Sequence, residues 1–119
     1  TGEEVMFALD RNQSRLSDYK VLQINLAHNL SQIMQDEGRY QEALLYAKKA
    51  EELSIRGTEQ FMLPEIEFGI AQILNNMGKL QESRTRMEAL IPYMRLIGKI
   101  KMADLAQEYL DKNLSNDVS

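Results

Sequence analysis

Carboxamide side chains recur at helical spacing in two parts of this 119-residue sequence. The first set is Asn25, Asn29 and Gln32, at i, i+4 and i+7, and the second set is Gln72, Asn75 and Asn76. Residues at such spacing share one face of a helix. A carboxamide offers both a donor and an acceptor, so a row of them can pair with the N–H and C=O groups of an extended peptide. The alternative is that these amides simply face solvent.

Two further side chains near these stripes could contact a ligand. Phe68 offers an apolar surface, and His28 offers a hydrogen-bonding or pH-sensitive group, although a lone surface histidine commonly has neither role. His28 has no serine, cysteine or carboxylate at a spacing typical of catalysis. The sequence has no cysteine and one histidine, which argues against thiolate chemistry and zinc binding. We therefore predict neither an enzyme nor a metal or cofactor site.

The elements that position these side chains are predicted to be helices. Gly38, Gly57, Gly78 and Gly98 lie at intervals of 19, 21 and 20 residues, as expected for turns that end helices. Between them, apolar residues recur every three or four positions, which is the period of amphipathic helices. The predicted fold is all-α with about six helices, near residues 3–16, 18–37, 40–56, 60–77, 80–97 and 99–114.

The sequence also matches itself at a shift of 40 residues. Asn29 to Ala43 reads NLSQIMQDEGRYQEA, and Gly69 to Ser83 reads GIAQILNNMGKLQES. A period of this length is typical of stacked supersecondary units, in which each unit is stabilised by its neighbours. Small residues are expected where the two helices of a unit approach closely, and the relevant positions are Ser31, Ala43, Ala50 and Ala71.

The segment Gly38-Arg39-Tyr40-Gln41-Glu42-Ala43-Leu44, with Leu30, Ser31 and Met34 before it, resembles the tetratricopeptide repeat. The resemblance implies a right-handed superhelical stack of antiparallel helix pairs, an α-solenoid. Its expected parts are the second helix of an incomplete preceding repeat over 1–17, repeats over 18–57 and 58–97, and a capping helix over 98–114. The period exceeds the usual ~34 residues, as in repeats similar to those of bacterial peptide-sensing regulators.

In that family the first helices line a concave surface, so the resemblance implies which residues bind a peptide. The expected binding residues are Asn25, His28, Asn29, Gln32, Phe68, Gln72, Asn75 and Asn76. Gln35, Glu65 and Gly69 are expected on the same surface, with Asp104 and Gln107 from the third unit. These positions contain no basic pair of the kind that holds acidic chaperone tails, so that mode of binding is not expected. The predicted function is a protein- or peptide-binding module, with the sensor part of a bacterial transcription regulator as a narrower expectation.

The alternative function is homo-oligomerisation through the terminal helices, with an idle groove. The formal net charge of −4 does not favour nucleic-acid binding. No apolar run approaches the length of a membrane span and no secretory leader is recognisable, so a cytoplasmic location is predicted. Because the sequence begins with Thr1, we expect it to be a fragment of a longer protein.

Overall fold

The computed structural model describes the backbone of residues 2–57 and 60–114, and the side chains of residues 18–57 and 60–114. Within those residues the fold is all-α, and no strand is present. The helices are α1 (Gly2–Asp36), α2 (Tyr40–Arg56), α3 (Leu63–Asn76), α4 (Leu80–Leu96) and α5 (Ile100–Asn113). None of them is both long enough and apolar enough to cross a membrane.

The prediction of about six helices was wrong, because the described part of the chain has five. The expected helices near 3–16 and 18–37 are one continuous helix, α1. The sequence contains no glycine or proline between residues 3 and 37, so nothing in that segment forces a helix to end. That residues 1–17 belong to a preceding repeat stays a prediction, and their side chains lie outside the described residues.

Three turns in this fold share one local geometry. Gly38, Gly78 and Gly98 have φ values of 77°, 82° and 86°, in the left-handed region where glycine is favoured. At the first turn, the Gly38 N–H donates to the Gln35 carbonyl and the Arg39 N–H to the Met34 carbonyl. The other two turns repeat these bonds, a Schellman motif that closes each helix and leaves three residues before the next one begins.

The connection between α2 and α3 differs from these turns. Gly57 has a φ of −92°, so the expectation of four equivalent glycine turns is correct for only three. Pro64 lies in the first turn of α3, where its missing N–H is not needed by the helix. The helix accordingly begins at Leu63, three residues later than predicted.

Each helix packs against the one before it, and α3 lies at the centre of the core. One buried cluster joins α1, α2 and α3 through small residues of α2 and large residues of α3, including Ala43, Ala47, Ile66 and Ile70. The second cluster joins α3, α4 and α5 and consists of Ala71, Met87, Leu90, Ile91, Met94, Ala103, Ala106 and Leu114. α3 thus contributes apolar side chains to both clusters.

A serine and an alanine exchange places between the two matching segments. The buried Ser31 hydroxyl on α1 donates to the Ala43 carbonyl on α2 at 2.9 Å. The buried Ser83 hydroxyl on α4 donates to the Ala71 carbonyl on α3 at 2.5 Å. Since 71 − 31 and 83 − 43 both equal 40, the two bonds join equivalent positions. The donor is on the first helix of the α1–α2 pair and on the second helix of the α3–α4 pair. Small residues at these places allow close helix contact in both pairs.

Candidate binding trough

A shallow depression runs along the seam between α3 and α5, and α1 forms part of one wall. We call it the trough. Three adjoining cavities make up the trough. Glu65 and Met102 line both the cavity beside Lys99 and the central cavity. Phe68, Gln72 and Leu105 line both the central cavity and the cavity beside Tyr109. From one cavity to the next, the shared residues lie further along both α3 and α5, so the three cavities form one continuous surface.

The central cavity has a volume of about 250 Å³ and is lined by residues of α1, α3 and α5. Phe68, Met102 and Leu105 form its apolar part, and the carboxamides of Gln32 and Gln72 are its amide groups. Gly69 gives the cavity its depth, because a Cβ at this position would lie 3.3 Å from Gln32 Nε2. The central cavity therefore has both apolar and amide groups in its lining.

Tyr109 joins the two walls at the next cavity along the seam. Its ring lies 5.8 Å from that of Phe68 between centroids, tilted by 56°, a favourable aromatic contact. The Asn75 side-chain amide donates to the Tyr109 hydroxyl at 2.8 Å. Burial raises the pKa of Tyr109, and the hydrogen bond from Asn75 opposes that change. Asn75 thus supports the wall of the trough.

Four of the five lysine and glutamate side chains that line the trough are paired with each other, and the fifth, the exposed Lys101, has no ion pair among the described residues. Lys99 Nζ lies 2.6 Å from Glu65 Oε1 and also donates to the Phe61 carbonyl at 3.2 Å. Lys112 Nζ lies 2.7 Å from Glu108 Oε1 at the other end. Glu65 Oε2 is buried and has no hydrogen-bond partner among the described residues, which makes it an unfilled acceptor at the edge of the central cavity.

His28 faces the central cavity from α1. Burial lowers its pKa below the ordinary value, and the nearby negative charge of Glu65 partly opposes this shift. The imidazole is therefore mainly neutral at neutral pH. With both carboxylates paired to lysines, the third lysine, Lys101, gives the trough a small positive net charge under these conditions.

The structure brings together four of the eight predicted binding residues. His28, Gln32, Phe68 and Gln72 line the central cavity. The carboxamides of Gln32 and Gln72 make no hydrogen bond with the side chains and backbone that the structure describes, so both remain open to a ligand. The other predicted residues do not line the central cavity: Asn75 binds Tyr109, and Asn25, Asn29 and Asn76 lie outside it.

The contribution of α5 was predicted in the wrong register. Asp104 is exposed and pairs with Arg95 on α4 at 3.1 Å, and Gln107 binds Asp111 on its own helix. Met102, Leu105 and Tyr109 line the trough instead.

The register error amounts to two residues. Placing Asp104 and Gln107 opposite Gly69 and Gln72 assumes a shift of 35 residues between α3 and α5. In the structure α3 begins at Leu63 and α5 at Ile100, so the third unit follows α3 at a shift of 37 residues, as 105 − 68 and 109 − 72 also show. Aligning Phe68 with Leu105 at that shift would have identified the correct face of α5.

Comparison of the chain with protein-family models, curated proteins and solved structures found no match. Among the described residues, no three histidine, cysteine, aspartate or glutamate side chains lie together in a way that could hold a metal ion. The arguments for a function accordingly come from the chain's own residues.

Proposed function

We propose that the chain is a tetratricopeptide-like α-solenoid that binds a segment of another polypeptide in the trough. The observation that carries the proposal is the presence of two unpaired carboxamides, Gln32 and Gln72, beside the apolar surface of Phe68 and Leu105. Binding sites for peptides and small ligands commonly combine an apolar lining with a few convergent polar groups. The matched Ser31 and Ser83 hydrogen bonds and the repeated glycine turns support the stacked-repeat part of the proposal.

The proposed role is binding and not catalysis. Glu65 and Glu108 are each held by a lysine, and His28 receives no hydrogen bond that would orient it as a base within the described residues. A cytoplasmic location and a place in a bacterial regulator remain predictions of the resemblance.

Selection from a random peptide library displayed on phage would test the binding role. Peptides enriched on the wild-type protein should lose affinity for Gln32→Ala/Gln72→Ala by about tenfold, since each lost hydrogen bond contributes about 0.5–1.5 kcal/mol. The matched control is Gln23→Ala/Gln41→Ala, which removes two exposed carboxamides elsewhere. Binding would be measured by fluorescence anisotropy after circular dichroism has shown that both variants fold. Equal affinity for the two double variants would argue against the trough.

A second candidate function is self-association through α1, and a separate observation favours it. Tyr19, Leu22, Leu26 and Ile33 are 58%, 63%, 59% and 52% exposed and lie on one stripe of the helix. Exposed apolar stripes of this kind often mark interaction surfaces. Leu22→Lys/Leu26→Lys should then reduce the mass found by light scattering to that of a monomer. Leu45→Lys, at a residue 69% exposed on α2, is the control. A monomeric wild-type protein would exclude this function for the chain alone.

A further inference from the structure

Resting on the proposed function, we infer that the trough selects an extended, uncharged segment that places one medium-sized apolar side chain in the central cavity. Leucine, isoleucine and methionine are side chains of the required size.

The size of the central cavity favours a single side chain. Its volume of about 250 Å³ is below the ~300–1,000 Å³ of sites that enclose a whole small molecule. Phe68, Met102 and Leu105 line this space with carbon atoms. An apolar side chain entering here would exchange water for these surfaces, and the hydrophobic effect favours that exchange.

The charges around the cavity disfavour a charged side chain. Lys99 Nζ already neutralises Glu65 at 2.6 Å, and each of these side chains is only 32% exposed. An acidic side chain would approach the carboxylate of Glu65, and a basic one would approach the ammonium group of Lys99. Neither would find an unpaired opposite charge in the lining of the central cavity to compensate for its lost hydration, since the unpaired Lys101 is exposed in the adjoining cavity. His28, the remaining ionisable group on this wall, is mainly neutral at neutral pH because burial lowers its pKa.

The direction of the trough favours an extended backbone. From Met102 to Lys112 the α5 wall extends about 15 Å at 1.5 Å per residue. An extended chain of about five residues covers the same length at 3.3 Å per residue. Gln32 and Gln72 stand beside this path with free donors and acceptors, so they can bind backbone groups on either side of the anchor residue.

Four acetylated and amidated pentapeptides provide the test: alanine peptides with leucine, alanine, lysine or glutamate at the centre. Titration into ¹⁵N-labelled protein would be followed by two-dimensional NMR. The leucine peptide should shift the amide signals of Gly69, Gln72 and Leu105 and bind at least tenfold more tightly than the other three. Its affinity should change less than twofold between low and high sodium chloride, since no ion pair forms.

Leu105→Lys gives an independent check, because Leu105 is 62% exposed and the substitution should not prevent folding. It should weaken binding of the leucine peptide at least tenfold. Leu96→Lys, at a residue 85% exposed and outside the trough, makes the same change of charge and should leave binding unaltered. Equal effects of the two variants would overturn the assignment of the central cavity.

The outcomes separate this inference from the proposed function. If the lysine or glutamate peptide binds more tightly at the same three amides, the trough binds peptides but the apolar anchor is wrong. If no peptide shifts those amides at millimolar concentration, or if shifts occur only elsewhere, both the anchor and the trough function are wrong.

Discussion

Replacement of Glu67 by glutamine should remove a pH dependence of stability that originates where α2, α3 and α4 meet. Arg86 Nη1 on α4 donates to Glu51 Oε2 at 3.1 Å and to Glu67 Oε2 at 2.9 Å. Burial, a hydrogen bond to Glu51 and the negative charge of Glu51 raise the pKa of Glu67 to about 7. The same hydrogen bond from Glu67 lowers the pKa of Glu51. One proton is thus held between the two carboxyl groups, and Lys48 is a further charge near Glu51.

The sign of the effect follows from the raised pKa of Glu67. Folding favours the protonated form, so the stabilising contribution is fully present below pH 4.5 and is lost as the pH rises through about 7. These two pKa values set an upper bound of about 3.4 kcal/mol. The Glu51 and Glu67 side chains are 20% and 21% exposed, and the pKa of Glu51 changes in the opposite direction. We therefore expect a net loss of about 1–2 kcal/mol.

Urea unfolding followed by far-ultraviolet circular dichroism, at several values between about pH 5 and pH 8, measures this loss. The free energy of unfolding of the wild-type protein, relative to Glu67→Gln, should fall by about 1–2 kcal/mol across that range. The lowered pKa of His28 gives a dependence of opposite sign, but it is common to both proteins and cancels in the difference. Glu88→Gln, at an exposed site on α4, is the matched control. A constant or rising difference would refute the assignment of the shared proton.

Three further substitutions test the packing, each by urea unfolding. Ser83→Ala should cost about 1 kcal/mol, because the buried hydroxyl no longer donates to the Ala71 carbonyl; no change would mean that this bond does not contribute to stability. Gly69→Ala should stabilise the protein by about 0.5–1 kcal/mol, since Gln32 is half-buried and can move by the few tenths of an ångström required; a loss of stability would show that Gln32 is fixed. Gly78→Ala should cost about 1–2 kcal/mol because its φ of 82° is unfavourable for alanine, and an unchanged stability would contradict the turn geometry.

Local signals in the sequence were sufficient to predict most of the helices. Gly38, Gly78 and Gly98 end helices because each turn requires a positive φ, and the apolar period identifies the buried faces on either side. Continuity of α1 was not predicted, because residues 1–17 were assigned to a separate helix of a preceding repeat although no residue there terminates a helix. Helix breaks are better predicted from terminators than from pattern alone.

The candidate site was less predictable, since it depends on distances between elements. A two-residue error in the alignment of α5 with α3, 35 instead of 37, rotated the expected face of α5, so that Asp104 lies outside the trough and Leu105 lines it. The role of Asn75 depends on Tyr109, which is 34 residues away in sequence and is the acceptor of its amide. Single-helix periodicity contains no information about such a partner.

The trough arises from the way in which small and large residues are distributed around α4. Ala71 on α3, and Ala103 and Ala106 on α5, are fully buried against the cluster that contains Met87 and Met94. Small residues at these positions let both helices approach α4, and Phe68 and Tyr109, which pack against the edge of the same cluster, contact each other between α3 and α5. Leu105 lies beside that contact, is 62% exposed and is not part of the cluster. Residues there, such as the exposed Leu105, can therefore change the preferred ligand without changing the fold.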